Sequence, residues 1–261
     1  CVTVQGDDST VASVTARLRP QCRRIAYGHR LSFGFVSADQ LSTYSARKVA
    51  QRAAADVTAW NQLGCLSPHV IYVEERGALS PDGFADQLAQ ALAERELNEP
   101  RGEIPVDLAA DLAGRRSLHE LRSARHDAAR EDASTMPRGA FFERPLGGTR
   151  VWASPESTAW TVVYEEDPRF QTSCLHRFIY VKPCRDLADV LRQAEVVRGR
   201  VSTVGIATAE SRLPDLAREL AHWGIPRVCP LGRMQEPPLG WRHDGRPTLA
   251  DLVTWTDLEM G

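Results

Sequence analysis

Two kinds of partner are excluded by what the chain does not have. Its 32 Lys and Arg are outweighed by 34 Asp and Glu, for a formal charge of -2, and no basic run interleaved with aromatics occurs. Nothing in it therefore attracts a nucleic-acid phosphate backbone. No apolar stretch approaches the roughly 20 residues that cross a bilayer, and the opening CVTVQGDDST has neither the basic flank nor the apolar core of a secretion signal. The 6 cysteines (Cys1, Cys22, Cys65, Cys174, Cys184 and Cys229) contain no CxxC pair, which argues against a zinc ribbon and against a small disulfide scaffold. Isolated thiols suit a reducing compartment, so a cytoplasmic protein is expected. Internal repeats, low-complexity linkers and an initiating Met are also missing. The first residues, with Val2 and Val4, already read as a strand, as if the chain started within a fold.

What is present is an alternation of strands and helices. At 43% hydrophobic and 25% charged residues, 261 residues suffice for one large core or two smaller ones. CVTVQ reads as a strand, followed by a helix capped by Asp8 or Ser9 with Val11, Val14 and Leu18 on its apolar face. RRIAY and FGFV are further strands. Apolar residues at Leu41, Ala46, Val49, Ala53, Val57 and Trp60 predict one helix from Ala38 to Gln62, running up to Gly64. HVIYVEE is an uninterrupted apolar strand of the kind buried in an α/β sheet. A helix from Ser80 to about Glu96 follows, then a charge-dense stretch between Pro105 and Ala133 that reads as a solvated helical pair. TRVWAS, AWTVVYEE and HRFIYVK are strands. The chain ends in a helix (Asp186 to Glu195), a strand (VSTVGIAT), a helix (Pro214 to Trp223) and a strand (RVCP). The order specifies an α/β architecture.

Chemistry concentrates around AWNQLGCLSPHVIYVEE, where Cys65 sits in a Gly-bearing turn between a long helix and a buried strand. A lone cysteine there has two readings, a small buried hydrophobe or a nucleophile whose neighbouring amides face a reacting oxygen. The second needs a lowered thiol pKa, and the C-terminal end of a helix supplies the wrong dipole for that. His29 and Arg30 follow Gly28 in a turn and read as a partly buried, hydrogen-bonded structural pair. His243, beside Asp244, is a candidate proton carrier or a turn residue. Gly6 reads as a turn glycine. Trp160, Trp241 and Trp255 read as core or interface anchors.

The step NQLGC, followed by Ser67, Pro68 and an apolar strand, resembles the LuxC-type acyl-CoA reductases, a thioester-reducing branch of the aldehyde dehydrogenase superfamily. VTVQGDD, YGHRLSF, SCLHRFIYVKP, VSTVGIAT and the long block RVCPLGRMQEPPLGWRHDGRPTLADLVTWTDLE carry the resemblance over nearly the whole chain. It implies an aldehyde-dehydrogenase-like α/β fold. Residues 1–30 would form the C-terminal edge of a dinucleotide-binding, Rossmann-like domain whose N-terminal part is absent, and residues 31–261 the Cys-bearing catalytic domain.

The implied chemistry is attack of Cys65 on a fatty acyl thioester, then hydride transfer from NADPH to the acyl-enzyme and release of aldehyde. The backbone N–H of Cys65 and an Asn upstream of this sequence would hold the oxyanion. Asn61, His29, Arg30 and His243 would support the cysteine, and Gly6 would approach the cofactor. Where hydrolytic aldehyde dehydrogenases place an acidic base, this chain reads Ala26 or Tyr27, which favours thioester exchange. Implied partners are a fatty acyl-CoA or acyl-protein thioester, acyl-protein synthetase and acyl-transferase subunits, and a second copy of the chain in a homo-oligomer. Two alternatives stand beside this reading: an NAD-linked aldehyde dehydrogenase, and a non-catalytic fragment that retains the fold.

Overall fold

A computed structural model describes residues 1–135, 148–247 and 249–260. The main body is built on a seven-stranded sheet in the order β5-β6-β7-β4-β3-β8-β9. Its strands are β3 (Leu31–Val36), β4 (Pro68–Glu74), β5 (Thr149–Ala153), β6 (Thr161–Glu165), β7 (Phe178–Cys184), β8 (Val201–Ala207) and β9 (Val228–Pro230). All neighbours run parallel except β5 and β6. Every residue of β3, β4, β6, β7 and β8 is buried. That is why these segments read as largely apolar stretches without a period-two alternation.

Helices cover both faces of the sheet. On one, α2 (Ser45–Thr58) and α3 (Pro81–Asn98) pack Val49, Ala53, Phe84 and Leu88 against Ile71, Val73 and Ile179. On the other, α5 (Leu187–Gln193), α6 (Leu213–Trp223) and Leu112 of α4 (Val106–Thr135) meet Phe33, Phe35, Tyr72 and Tyr180. Consecutive residues of one strand feed opposite cores, as a pleated strand requires.

A separate unit precedes this sandwich. β1 (Val2–Gln5) and β2 (Arg24–Tyr27) form a two-stranded parallel sheet crossed by α1 (Asp8–Arg17). The cap of α1 is Asp7, whose carboxylate accepts the Thr10 N–H, and not Asp8 or Ser9. No side chain of α1 is fully buried.

Two further sequence expectations are corrected. The helix expected from Ala38 to Gln62 spans only Ser45–Thr58, and Trp60 is 75% exposed. Beyond Thr58 the backbone turns left-handed because the Asn61 and Gln62 side chains are engaged elsewhere in the fold. The expected helical pair between Pro105 and Ala133 is one helix, α4. Its inner face is not solvated: Leu112 and His119 are buried, and His119 Nδ1 lies 3.1 Å from a Glu165 oxygen. Among the described residues, no helix is long and apolar enough to cross a membrane.

Candidate active site

The turn that carries Cys65 is held by an unusual backbone. Trp60, Asn61 and Gln62 have φ of 53°, 51° and 66°, and Leu175, His176 and Arg177 have φ of 68°, 55° and 65°. Left-handed conformations at non-glycine residues cost about 1 kcal/mol or more each and persist only where the surroundings dictate them. Here the side chains supply that determination. Buried Gln62 donates from Nε2 to the carbonyls of Pro68 (2.8 Å) and Phe178 (3.0 Å). Arg177 donates from Nε to Asn61 Oδ1 (3.0 Å) and pairs through Nη1 with Glu96 (2.6 Å). Asn61 Nδ2 donates to the Arg101 carbonyl at 3.2 Å. The two left-handed runs are thus tied together between the end of α2 and the start of β7.

From this platform the chain enters a tight turn, closed by the Ser67 N–H on the Gly64 carbonyl (2.9 Å). Ser32 Oγ donates to the Cys65 carbonyl (2.8 Å), and Gln235 Nε2 to Ser67 Oγ (2.8 Å). Both register shifts of β3, one toward β4 and one toward β8, fall at Ser32, where the sheet adapts to the turn. Cys65 is half-buried, and no backbone carbonyl among the described residues accepts its N–H.

A cleft of about 220 Å³ opens beside the thiol. It lies between the ends of β1 and β2 and the starts of β3, β4 and β7, so Gly6, His29, Arg30, Cys65 and His243 all border it. Asn61 does not line it, because its carboxamide is spent on Arg177 and Arg101. Two further bordering residues were not singled out from sequence as site residues. His69 opens β4, and Asp244 comes from the C-terminal segment. A histidine four residues after the candidate nucleophile was a visible signal for the first.

Electrostatics in the cleft keep the thiol protonated at rest. Burial pushes the Cys65 pKa up and the Asp244 carboxylate adds to the rise, while the cysteine's own N–H and Arg30 pull the other way. Arg30 cannot act alone, since its Nε pairs with Asp244 Oδ2 (3.2 Å) and its Nη1 donates to the Gly199 carbonyl. The Asp244 side chain is 3% exposed, stands at φ 54° and leaves Oδ1 without a partner among the described residues. His243 is not oriented by Asp244; it stacks on Tyr27 (centroids 4.4 Å apart) and against Trp241 (4.7 Å). Cys174 and Cys229 are each pushed up to about 11 by burial. Cys65 is the cysteine that borders this cleft.

A nicotinamide cofactor's diphosphate does not fit the Gly6 turn. A Cβ at Gly6 would meet Thr10 at 3.2 Å, so the missing side chain makes room for the helix and not for a ligand. The N-terminus of α1, where a phosphate would bind, is taken by the Asp7 carboxylate. Asp8 adds a second acid there, bonded to the His29 N–H (3.0 Å) and paired with Arg200 (3.2 Å). Gly28 is needed for that arrangement, because a Cβ on it would lie 2.6 Å from Asp8 Oδ1.

The family model described as acyl-CoA reductase (LuxC) matches residues 1–255. No curated protein matches. Among solved structures, Bradyrhizobium japonicum proline utilization A superposes with TM-score 0.65 at 14% identity, covering 94% of this chain and 24% of that one. An NAD-dependent aldehyde dehydrogenase from Burkholderia multivorans gives 0.53 at 16% identity, with 95% and 44% covered. A 1-pyrroline-5-carboxylate dehydrogenase from Thermus, solved with bound NAD, gives 0.53 at 13% identity, with 92% and 44% covered. The fold is therefore of the aldehyde dehydrogenase type, and the chain spans less than half the length of each of these neighbours.

Proposed function

Because the chain belongs to the acyl-CoA reductase (LuxC) family, we propose that it carries the thiol-bearing part of an enzyme that reduces a long-chain fatty acyl thioester to the aldehyde. The observation that supports this reading most is the convergence of Cys65 with His29, Arg30 and His243 on one cleft, from segments far apart in sequence. The thiol rests protonated and half-buried, which protects it until an acyl thioester enters. Sulfur then attacks the carbonyl carbon, and the Cys65 N–H, free of a backbone acceptor, meets the developing oxyanion. Loss of the thiol leaving group gives the acyl-enzyme.

NADPH is the proposed hydride donor, without an assigned binding residue in this chain. The division into a cofactor-domain edge (1–30) and a catalytic domain (31–261) is likewise a proposal, supported by the separate β1-β2 sheet. The substrate is a fatty acyl-CoA or an acyl-protein thioester, and acyl-protein synthetase, acyl-transferase and a second copy of the chain are the partners that reading brings.

The absence of an acid at Ala26 and Tyr27 favours transfer to a thiol over hydrolysis. Asp244 favours a second reading, an aldehyde dehydrogenase, since it brings a carboxylate into the cleft from another element. Incubation of the protein with palmitoyl-CoA, read by intact-mass spectrometry, tests the first. A palmitoyl adduct on wild type that disappears in Cys65→Ser and persists in Cys174→Ser supports it; no adduct refutes it. Oxidation of an aldehyde to the free acid without added CoA would favour the second reading.

A further inference from the structure

His69 borders the same cleft, and its chemistry is not used by the proposed attack of Cys65. Its Nδ1 accepts the Ser173 N–H at 3.1 Å, so the lone pair lies on that nitrogen and the proton of the neutral ring on Nε2. Ser173 is itself fixed: its hydroxyl donates to the Phe178 carbonyl and accepts the Leu175 N–H (2.9 Å). The ring is 4% exposed, yet Nε2 has no acceptor among the described residues and is not one of the sealed, unpartnered atoms of the interior. The cleft that the ring borders, shared with Cys65, is where that N–H is free to act. Burial and the charge of His29 hold the ring neutral, down to about 4. A base or metal ligand at Nε2 would need the other tautomer, which the Ser173 N–H forbids. Among the described residues, no cluster of His, Cys, Asp or Glu is arranged to hold a metal.

A neutral imidazole with a locked N–H donor, set in a wall of the nucleophile's cleft, is suited to polarising a carbonyl. We infer that His69 is a catalytic residue of the acyl-transfer step, donating from Nε2 to the thioester carbonyl oxygen. This inference rests on the proposed thioester chemistry. As the Cys65 sulfur bonds to the carbonyl carbon, the π pair moves onto oxygen and the His69 hydrogen bond strengthens. The carbonyl re-forms as the carbon–sulfur bond to the leaving thiol breaks, and the proton lost by Cys65 ends on that thiol. His69 keeps its own proton throughout. It thereby supplies, from within this chain, a second oxyanion donor beside the Cys65 N–H.

The test compares two reactions of the same sulfur in the full chain. Acylation by palmitoyl-CoA develops an oxyanion, whereas alkylation by iodoacetamide is a direct displacement at a saturated carbon and does not. In His69→Leu, acylation falls about 100-fold or more, the size typical of losing one oxyanion donor, while alkylation changes less than about twofold. His69→Gln, which keeps an N–H donor at similar reach, recovers most of the acylation rate and serves as the measurement if the Leu variant does not fold. Equal loss of both reactions in His69→Leu assigns the residue a structural role and overturns the inference, as does unchanged acylation. A Gln variant that folds, alkylates normally and acylates no faster than about one hundredth of wild type also overturns it. If wild type takes no acyl group, the thioester reading fails first and the inference with it; if wild type is acylated and the variants match it, the inference alone fails.

Discussion

Protonation of His69 should cost the fold stability in a window that a single substitution isolates. The folded-state pKa lies near 4 against an ordinary 6.5, first because burial disfavours the charged ring and second because His29 repels it. Above pH 6.5 neither folded nor unfolded chain binds this proton, and the contribution to stability is fully present. As pH falls, the unfolded chain takes up a proton the folded one refuses, so stability is lost until the folded ring titrates near 4. At about 1.4 kcal/mol per pH unit, that span is worth about 3 kcal/mol.

Asp56 runs the opposite way. Buried against the N–H groups of Gly232 and Met234, it is raised from 3.8 to about 6 by desolvation. Its stabilising contribution is therefore full below 3.8 and lost as pH rises through 6, also by about 3 kcal/mol. The two slopes nearly cancel in the wild type between pH 6.5 and 4. In His69→Gln the His69 slope is gone, while the Asp56 slope and that of His176, whose pKa burial also lowers, remain. Urea unfolding at pH 7, 5.5 and 4.5 should show the variant gaining stability relative to wild type as pH falls, approaching about 3 kcal/mol near pH 4. Asp39, Asp82, Glu165, Asp167 and Asp189, whose pKa values are lowered, titrate alike in both proteins and drop out of the difference. Parallel stability curves would refute a buried, neutral His69.

Other expectations follow from single contacts. Asp244→Asn removes the carboxylate that, after burial, raises the Cys65 thiol, so the midpoint of iodoacetamide alkylation against pH should move down; an unmoved or raised midpoint counts against that electrostatic account. Arg177→Met removes the ion-pair partner of Glu96 at 2.6 Å, leaving it the Arg101 N–H, and unties Asn61. It should destabilise by about 3 kcal/mol in urea, and a loss within the error of the wild-type fit would show that the clamp does not hold the left-handed runs. Phe84→Ala empties a fully buried site between α3 and the sheet and should cost about 3–5 kcal/mol. Because that site is remote from the cleft lining, the Cys65 alkylation rate under native conditions should stay at the wild-type value.

Much of the architecture was legible because parallel strands announce themselves. LSFGFV, PHVIYVE, FIYVKPC and VSTVGIA are buried on both faces, so local composition alone marks them. Helix limits were less legible where distant partners set them. Nothing local in AWNQ ends a helix at Thr58. The Gln62 amide bridging Pro68 and Phe178, and Asn61 held by Arg177, do so from 6 and 116 residues away. The same distant partners removed Asn61 from the candidate site. In α4, the burial of His119 against Glu165 and Tyr180 could not be read from a pattern dominated by charge.

At the site, the sequence by itself determined which residue types were available. It offered a cysteine in a glycine turn, a His-Arg pair after Gly28, a histidine near the C-terminal end, and the LuxC resemblance that joined them. Only the tertiary structure decided what each could do. Strand order in a parallel sheet brings the starts of β3, β4 and β7 together, so His29, Cys65 and Leu175 share one cleft although 36 and 110 residues separate them in turn. It turned Arg30 toward Asp244, and so moved both groups' influence onto the thiol. It also set the tautomer of His69 through an N–H 104 residues away. Composition and periodicity report what one strand or helix buries; proton positions and local fields depend on which strands meet, and that is settled only when the sheet closes around the turn.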